Sequence, residues 1–322
     1  MRDSFGRSID YMRVSITDRC NLRCAYCMPG EFVLISHDKV LRYEEILRVC
    51  TVAAKIGIRT IKVTGGEPLA RKGCLGLIKE LKAVPGIQHV TLTTNGVQLE
   101  PYVEALAELR LDGLNISLDT LEPKTYLRIT GRNAFHQAWR SFNKSVEAGL
   151  HVKINCVPLM GFNEKEIISI SRLAETFPVD VRFIELMPTT EGECLQGIPG
   201  TDIIALLSQE YRDLAPDGSP HGFGPARYFR SSRLKGGLGL ISAISNHFCS
   251  GCNRLRLTSD GFLKLCLHHN NGLDLRCMLR NGASDAEIEA AMTRAVCHKP
   301  ERHSLDGKAD SEGIRMMSRI GG

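Results

Sequence analysis

Three cysteines, Cys20, Cys24 and Cys27, share one short loop, and no other feature of this 322-residue chain restricts its folding options as sharply. Spaced at four and three residues, each can give a thiolate to one iron of a cubane iron–sulfur cluster. Three thiolates leave the fourth iron with an open coordination position, where a reactant can bind as it does at a catalytic metal. The loop follows an alternating run at residues 11–16, so a first strand has to deliver it. The competing reading is a structural zinc site or three unrelated thiols. Zinc ordinarily takes CxxC pairs and four ligands, and this loop contains no histidine.

The pattern continues with strands expected at residues 58–64, 89–94, 114–119, 151–157 and 179–186. Helices are expected between them at 43–56, 75–83, from Pro101 onward, 134–148 and 164–177. Strands joined by helices run parallel with right-handed crossovers. A closed eightfold barrel needs ~250 residues, more than this segment offers. The expected fold is therefore α/β, a partial (β/α)6 TIM-like barrel open on one side. Such sheets carry their chemistry in the loops after the strands. After the second strand stand Gly65, Gly66 and Glu67, where two glycines permit close backbone approach and a carboxylate can accept from an ammonium. Thr93 and Asn95 close the third strand, and Ser117 with Asp119 closes the fourth. Lys153 and Arg182 interrupt apolar runs on the fifth and sixth, and charges there need anionic partners. A phosphate is one candidate; Glu164, Glu185 or another internal carboxylate is the other.

Glycine, proline and polar residues dominate positions 191–224, apart from a short helix at 201–209. This places a boundary between a barrel domain, 1–190, and a C-terminal domain, 191–322. The second domain holds Cys249, Cys252 and Cys266. Alternating strands flank Ser259, Asp260 and Gly261, a hairpin loop with glycine at the bulge position. Pairing Thr258 with Phe262 sets Arg254 opposite Cys266, and strand periodicity puts Arg254 and Arg256 on one face. Two guanidinium groups beside a second open cluster suit a planar, acceptor-rich anion. With Cys277, His268 or His269 as a fourth ligand, the same set makes a closed zinc or iron–sulfur site instead. Ser284 and Glu287 form a capping box that opens a helix running to Ala295. The chain ends on Gly321 and Gly322, small enough to thread a narrow channel.

No window approaches the ~20 apolar residues of a membrane span, and the first ten residues lack an apolar core run. The expectation is a soluble, unprocessed, cytoplasmic protein whose twelve cysteines are reduced thiols and metal ligands. A net charge of +5 is too small to argue for nucleic acid.

CxxxCxxC with Tyr26 before the last cysteine resembles the radical S-adenosylmethionine superfamily. The later CxxC, thirteen residues and a further cysteine narrow the resemblance to the GTP 3′,8-cyclase family of molybdenum cofactor biosynthesis. So do residues 5–7, 129–132, 181–185, 224–228 and the final glycines. That resemblance implies two 4Fe-4S clusters, on Cys20, Cys24 and Cys27 and on Cys249, Cys252 and Cys266. It implies S-adenosylmethionine bound by Tyr26, Gly65, Gly66, Glu67, Thr93, Asn95 and Ser117. Substrate-binding residues would be Arg13, Lys62, Lys153, Arg182, Met187, Arg254 and Arg256, the last two also counted as catalytic. The implied reaction cleaves S-adenosylmethionine to a deoxyadenosyl radical, which takes hydrogen from the ribose 3′-carbon of GTP so that this carbon attacks C8 of guanine. The terminal glycines would enter the active site. Implied partners are a flavodoxin- or ferredoxin-type electron donor and cyclic pyranopterin monophosphate synthase downstream, and a homodimer is left open. Thr60 and Lys62 depart from the family's lysine and arginine, Phe32 from its glycine, and Gly73 with Cys74 is unusual after the GGEP loop. The rival readings are a peptide-modifying enzyme of the same superfamily and a zinc module that binds nucleic acid. The first lacks a docking region before Arg7; the second lacks aromatic residues interleaved with basic ones.

Overall fold

The computed structural model describes residues 1–28, 33–187 and 195–303. Phe32 and the terminal glycines lie outside the described residues. In chain order the elements are β1 (Tyr11–Ser15), α1 (Tyr43–Lys55), β2 (Thr60–Thr64), α2 (Cys74–Ala83), β3 (His89–Thr94), α3 (Val103–Glu108), β4 (Gly113–Ser117), α4 (Pro123–Thr130), α5 (Phe135–Glu147) and β5 (Val152–Cys156). There follow α6 (Ile167–Ser171), α7 (Leu173–Thr176), β6 (Asp180–Ile184), α8 (Gly200–Glu210), β7 (Ala215–Asp217), β8 (Arg227–Arg230), β9 (Leu238–Ile241), β10 (Arg254–Leu257), β11 (Phe262–Lys264), β12 (Gly272–Asp274), α9 (Leu275–Arg280) and α10 (Asp285–Cys297).

All six strands expected of the barrel are present, because in each one parity is apolar and the other polar. Met12 and Val14, Ile61 and Val63, Ile116, Ile154, Val181 and Phe183 are fully buried. α1 contributes Ile46, Val49, Cys50 and Ala53 at helical spacing, and α10 opens on the expected capping box of Ser284 and Glu287. The helix expected at 164–177 is instead a 3-10 turn at Glu164–Glu166 followed by the short α6 and α7. The one expected from Pro101 begins as a 3-10 turn, Glu100–Tyr102, before α3. α4 and the strands β7 to β9 carry too little periodicity to have been expected.

The chain forms two compact units, residues 1–21, 30–92 and 249–322 in one and residues 22–29 and 93–248 in the other. Within the first, the strand order is β12-β11-β10-β1-β2-β3. There β10, β1, β2 and β3 pair in parallel, while β11 and β12 add antiparallel. Within the second, the order is β4-β5-β6-β9-β8-β7. Its first four members are parallel, and β8 and β7 antiparallel. Among the described residues no helix is long and apolar enough to cross a membrane.

Candidate active site

Leaving β1, the chain is stitched to the GGEP loop: Gly66 N–H donates to the Thr17 carbonyl at 2.7 Å and Glu67 N–H to that of Arg19 at 2.8 Å. A Cβ on Gly66 would stand 2.4 Å from the Arg19 oxygen, so only glycine allows this approach. A Cβ on Gly65 would press on the Thr17 oxygen at 2.7 Å. Glu67 is fully buried, and its Oε1 accepts from Leu69 N–H at 2.9 Å. Cys20 follows Arg19 and is half-buried.

In the second unit Cys24 and Cys27 share a turn in which the Cys24 carbonyl accepts from Cys27 and Met28 N–H, both at 2.9 Å. Arg23 and Ala25 N–H donate to the carbonyls of Thr130 and Ile129, at 2.8 and 2.9 Å, which fixes the turn to the end of α4. The Tyr26 hydroxyl donates to Asp119 Oδ2 at 2.8 Å, and Asp119 Oδ1 accepts from Val157 N–H at 2.8 Å. Burial pushes the Asp119 carboxyl up to about 6 against the pull of these two hydrogen bonds. Burial, then Asp119 and the thiols of Cys24 and Cys27, hold the Tyr26 phenol well above its ordinary value. None of the three cysteines of this loop is in a disulfide.

The first unit gathers cations. Lys62, Arg13, Arg256 and Lys264 stand in register across β2, β1, β10 and β11. Register neighbours lie on one face, ~4.8 Å apart. Burial, then the charges of Arg13 and Arg254, press Arg256 well below its ordinary range. Thr91, in register with Lys62, has a buried hydroxyl with no hydrogen-bond partner. The hairpin register expected from sequence holds, with Arg256 opposite Lys264. Lys264 was missed, although the same register points to it.

Cys249 opens a single 3-10 turn, and its carbonyl accepts from Cys252 N–H at 3.1 Å. Arg254 reaches Cys252 Sγ at 3.6 Å. Lys299, almost fully buried, donates to the carbonyls of Arg254 and Leu265, on the chain beside Cys266. Arg7 clamps the same corner, donating to the carbonyls of Cys249 at 2.9 Å and of Pro300 and Glu301 at 2.7 Å. Burial raises the Cys252 thiol, but Arg254 and Lys299 outweigh it and bring it down to about 7. Thiolate is the form that binds metal, so this corner fits an iron–sulfur group. Cys277 is exposed on α9 and takes a contact from Asn281 Nδ2 at 3.3 Å. Burial pushes His268 down to about 4, with His303 and Arg256 adding repulsion, and His269 faces the Arg302 carbonyl at 3.1 Å. Among the described residues no three of His, Cys, Asp and Glu surround one point as a single zinc ion requires. A cubane takes its thiolates on separate irons, so they ring a larger centre and stand farther apart than the ligands of one zinc ion.

The second unit has a polar face of its own. Asn115, Lys153 and Asp180 stand in one row across β4, β5 and β6. Ser117, Asn155, Arg182, Gly239 and Tyr228 form the next across β4, β5, β6, β9 and β8. Lys153 donates to Asp180 at 2.7 Å, so its internal carboxylate is neither Glu164 nor Glu185. Glu185 instead accepts from the N–H groups of Gly200 at 2.7 Å and of Ile244 and Ser245 at 3.0 Å. Arg182 donates to Asn115 Oδ1, while Arg182 Nε and Asn155 Oδ1 are buried without partners. Thr93 Oγ1 accepts from Asn115 at 3.3 Å, Asn95 Oδ1 from Val97 N–H at 3.0 Å, and Met187 is half-buried beyond β6. Asp180 and His221, bonded at 3.0 Å, are 41 residues apart, and no local pattern announces such a pair.

Against known proteins, residues 14–174 match the Radical SAM superfamily and residues 179–305 match Molybdenum Cofactor Synthesis C. The chain is similar to the GTP 3′,8-cyclase of Clostridium perfringens, 43% identical over 100% of both chains. It is also similar to that of Moorella thermoacetica, 44% identical over 100% of both. Streptococcus suis SuiB bound to S-adenosylmethionine has the same fold: TM-score 0.62 at 15% identity, over 88% of this chain and 67% of that one. The fold is the expected α/β partial barrel with a C-terminal extension: β2 to β5 lie wholly within the Radical SAM match, and β6 to β12 within the second.

Proposed function

The chain belongs to the GTP 3′,8-cyclases, radical S-adenosylmethionine enzymes of molybdenum cofactor synthesis, and from that premise we propose how its residues divide the work. It converts GTP to (8S)-3′,8-cyclo-7,8-dihydroguanosine 5′-triphosphate. Cys20, Cys24 and Cys27 hold one 4Fe-4S cluster and Cys249, Cys252 and Cys266 a second. When bound, the first cluster and S-adenosylmethionine supply the one-electron cleavage that starts the radical chemistry. Tyr26, Gly65, Gly66, Glu67, Thr93, Asn95 and Ser117 serve S-adenosylmethionine. In the first unit Arg13, Lys62, Arg254 and Arg256 hold the nucleotide, which is catalysis mainly by positioning. In the second, Lys153 and Arg182 take its phosphates, with Met187 alongside the substrate. A flavodoxin or ferredoxin supplies the electron, and cyclic pyranopterin monophosphate synthase consumes the product.

The observation that carries this reading is the row of cations Lys62, Arg13, Arg256 and Lys264, in register across four strands next to a thiol set in which Arg254 and Lys299 bring Cys252 down to about 7. A face so rich in guanidinium and ammonium groups suits an anionic nucleotide, and a cluster iron with an open position beside it would offer a ligand site for a base. The test is anaerobic reconstitution with iron, sulfide and zinc measured per chain. About eight irons without zinc is the expected result for two cubanes; four irons with one zinc would end the assignment of the second set. Cys24→Ala should abolish cleavage of S-adenosylmethionine. Cys266→Ala should keep uncoupled cleavage and lose cyclisation, and normal cyclisation by that variant would sink its role.

A further inference from the structure

Tyr228 lies on β8 at the end of the row Ser117, Asn155, Arg182, Gly239, on the face assigned above to the phosphates. Two glycines make room for it. A Cβ on Gly239 would press on Arg182 Cγ at 2.8 Å and Tyr228 Cε1 at 3.0 Å. One on Gly237 would meet His221 Cε1 at 2.6 Å and Tyr228 Cδ1 at 3.1 Å. The Arg182 and Tyr228 side chains thus lie across a strip of bare backbone. The tyrosine ring stacks on His221, centroids 4.0 Å apart and planes 8° from parallel. His221 is pinned in turn, one ring nitrogen 3.0 Å from Asp180 and the other 3.1 Å from Asp217. Few tyrosines are fixed on so many sides.

The hydroxyl explains the effort. Its oxygen accepts from Lys153 Nζ at 3.5 Å and from the Arg182 guanidinium, the two cations of this face. A phenol has two acceptor sites and one donor. With both acceptor sites occupied, its hydrogen remains to be given, and among the described residues no acceptor takes it. Burial pushes the phenol up to about 12 against the pull of Arg182, so the hydrogen stays on. Arg182 Nε, in a side chain more than nine-tenths buried, is a second donor without a partner. Two donors from one row of this face, with the Lys153 ammonium beside the hydroxyl, are the groups an oxyanion binds to.

We propose that Tyr228 is a further substrate-binding residue, donating its phenolic hydrogen to a phosphate oxygen of the nucleoside triphosphate beside Lys153 and Arg182, with His221 as the splint of its ring. The proposal rests on the cyclase reading. Asp180 then acts as the resident counter-ion of Lys153 until the phosphate arrives, which keeps the empty site from burying a lone ammonium.

The experiment is equilibrium dialysis of the reconstituted full-length enzyme, wild type and Tyr228→Phe, against GTP and against guanosine, with steady-state kinetics on the same samples. A hydrogen bond to a charged phosphate predicts that Tyr228→Phe weakens GTP about tenfold or more. Guanosine affinity should stay unchanged, and KM for GTP should rise with kcat preserved. Unchanged GTP affinity overturns the proposal. So does an equal loss for both ligands, which would mark a merely structural tyrosine. A wild type that does not prefer GTP to guanosine strikes at the cyclase reading itself and takes the proposal with it; a preference kept by both proteins removes only the role of Tyr228.

Discussion

Asp119 is a buried carboxyl that ties the cysteine turn to the ends of two strands, through Tyr26 on one oxygen and Val157 on the other. Its native value, about 6 against an ordinary 3.8, means that the folded protein holds the proton more tightly than the unfolded chain. The resulting stabilisation is complete below the ordinary value and is lost as pH rises through about 6. The difference corresponds to about 3 kcal/mol at ~1.4 kcal/mol per unit. Asp119→Asn keeps the shape and cannot ionise. Its unfolding free energy should therefore fall less than that of wild type between about pH 4 and about pH 8, by roughly that amount. Denaturant titrations across this range measure it, and parallel pH profiles for the two proteins would refute it. The tyrosine hydroxyl keeps a partner in either form, so the cysteine turn should survive the substitution.

At the scale of elements, two segments of similar sequence prominence should respond differently to a small change. Gly66→Ala forces a methyl to within 2.4 Å of the Arg19 carbonyl oxygen, backbone against backbone, with no flexible side chain to yield. It should cost about 1–3 kcal/mol, and the first thiol set should retain less iron after reconstitution, while the second set keeps its own. Ser284→Ala removes the cap of α10, far along the chain from any thiol of the first set. It should cost about 1 kcal/mol and leave iron content and turnover as they were; iron loss in both variants would show that the stitching of Gly66 to Arg19 has no particular bearing on the cysteine loop. The same contrast explains what could be seen in the sequence. Gly66 and the capping box are local patterns, as are the six alternating strands and the Thr258 to Phe262 pairing set by Gly261. The helix expected at 164–177 failed because it is three short turns, whose breaks leave the apolar spacing intact. Strands β7 to β9 hide in glycine- and proline-rich stretches and exist because β6 and one another offer them edges. Asp180, His221 and Asp217 form one cluster only after those edges have paired, so no reading of spacing finds them.

For the molecule as a whole, a net charge of +5 understates its electrostatics, because 41 basic and 36 acidic residues nearly cancel while one sheet face collects Lys62, Arg13, Arg256 and Lys264 in register. Burial and the neighbouring arginines both act against the charge of Arg256. Removing one charged member of a buried polar network leaves its partners unsatisfied and typically costs about 3–5 kcal/mol. Arg256→Met should therefore melt below the wild-type midpoint when nucleotide is absent. With GTP present the gap should widen. A ligand at a hundred times its Kd stabilises a protein that binds it by about 2.7 kcal/mol, which in a chain of this size raises the midpoint by several degrees. The wild type should show that rise and Arg256→Met should lose most of it. Scanning calorimetry of both proteins with and without GTP makes the comparison. A full GTP response in the variant would mean that the charge of Arg256 faces something other than the substrate, and a variant that melts with wild type in the absence of nucleotide would mean that its partners do not depend on it. A gap that widens with GTP separates the two roles of one side chain, since the loss without nucleotide reports the network and the further loss reports the substrate.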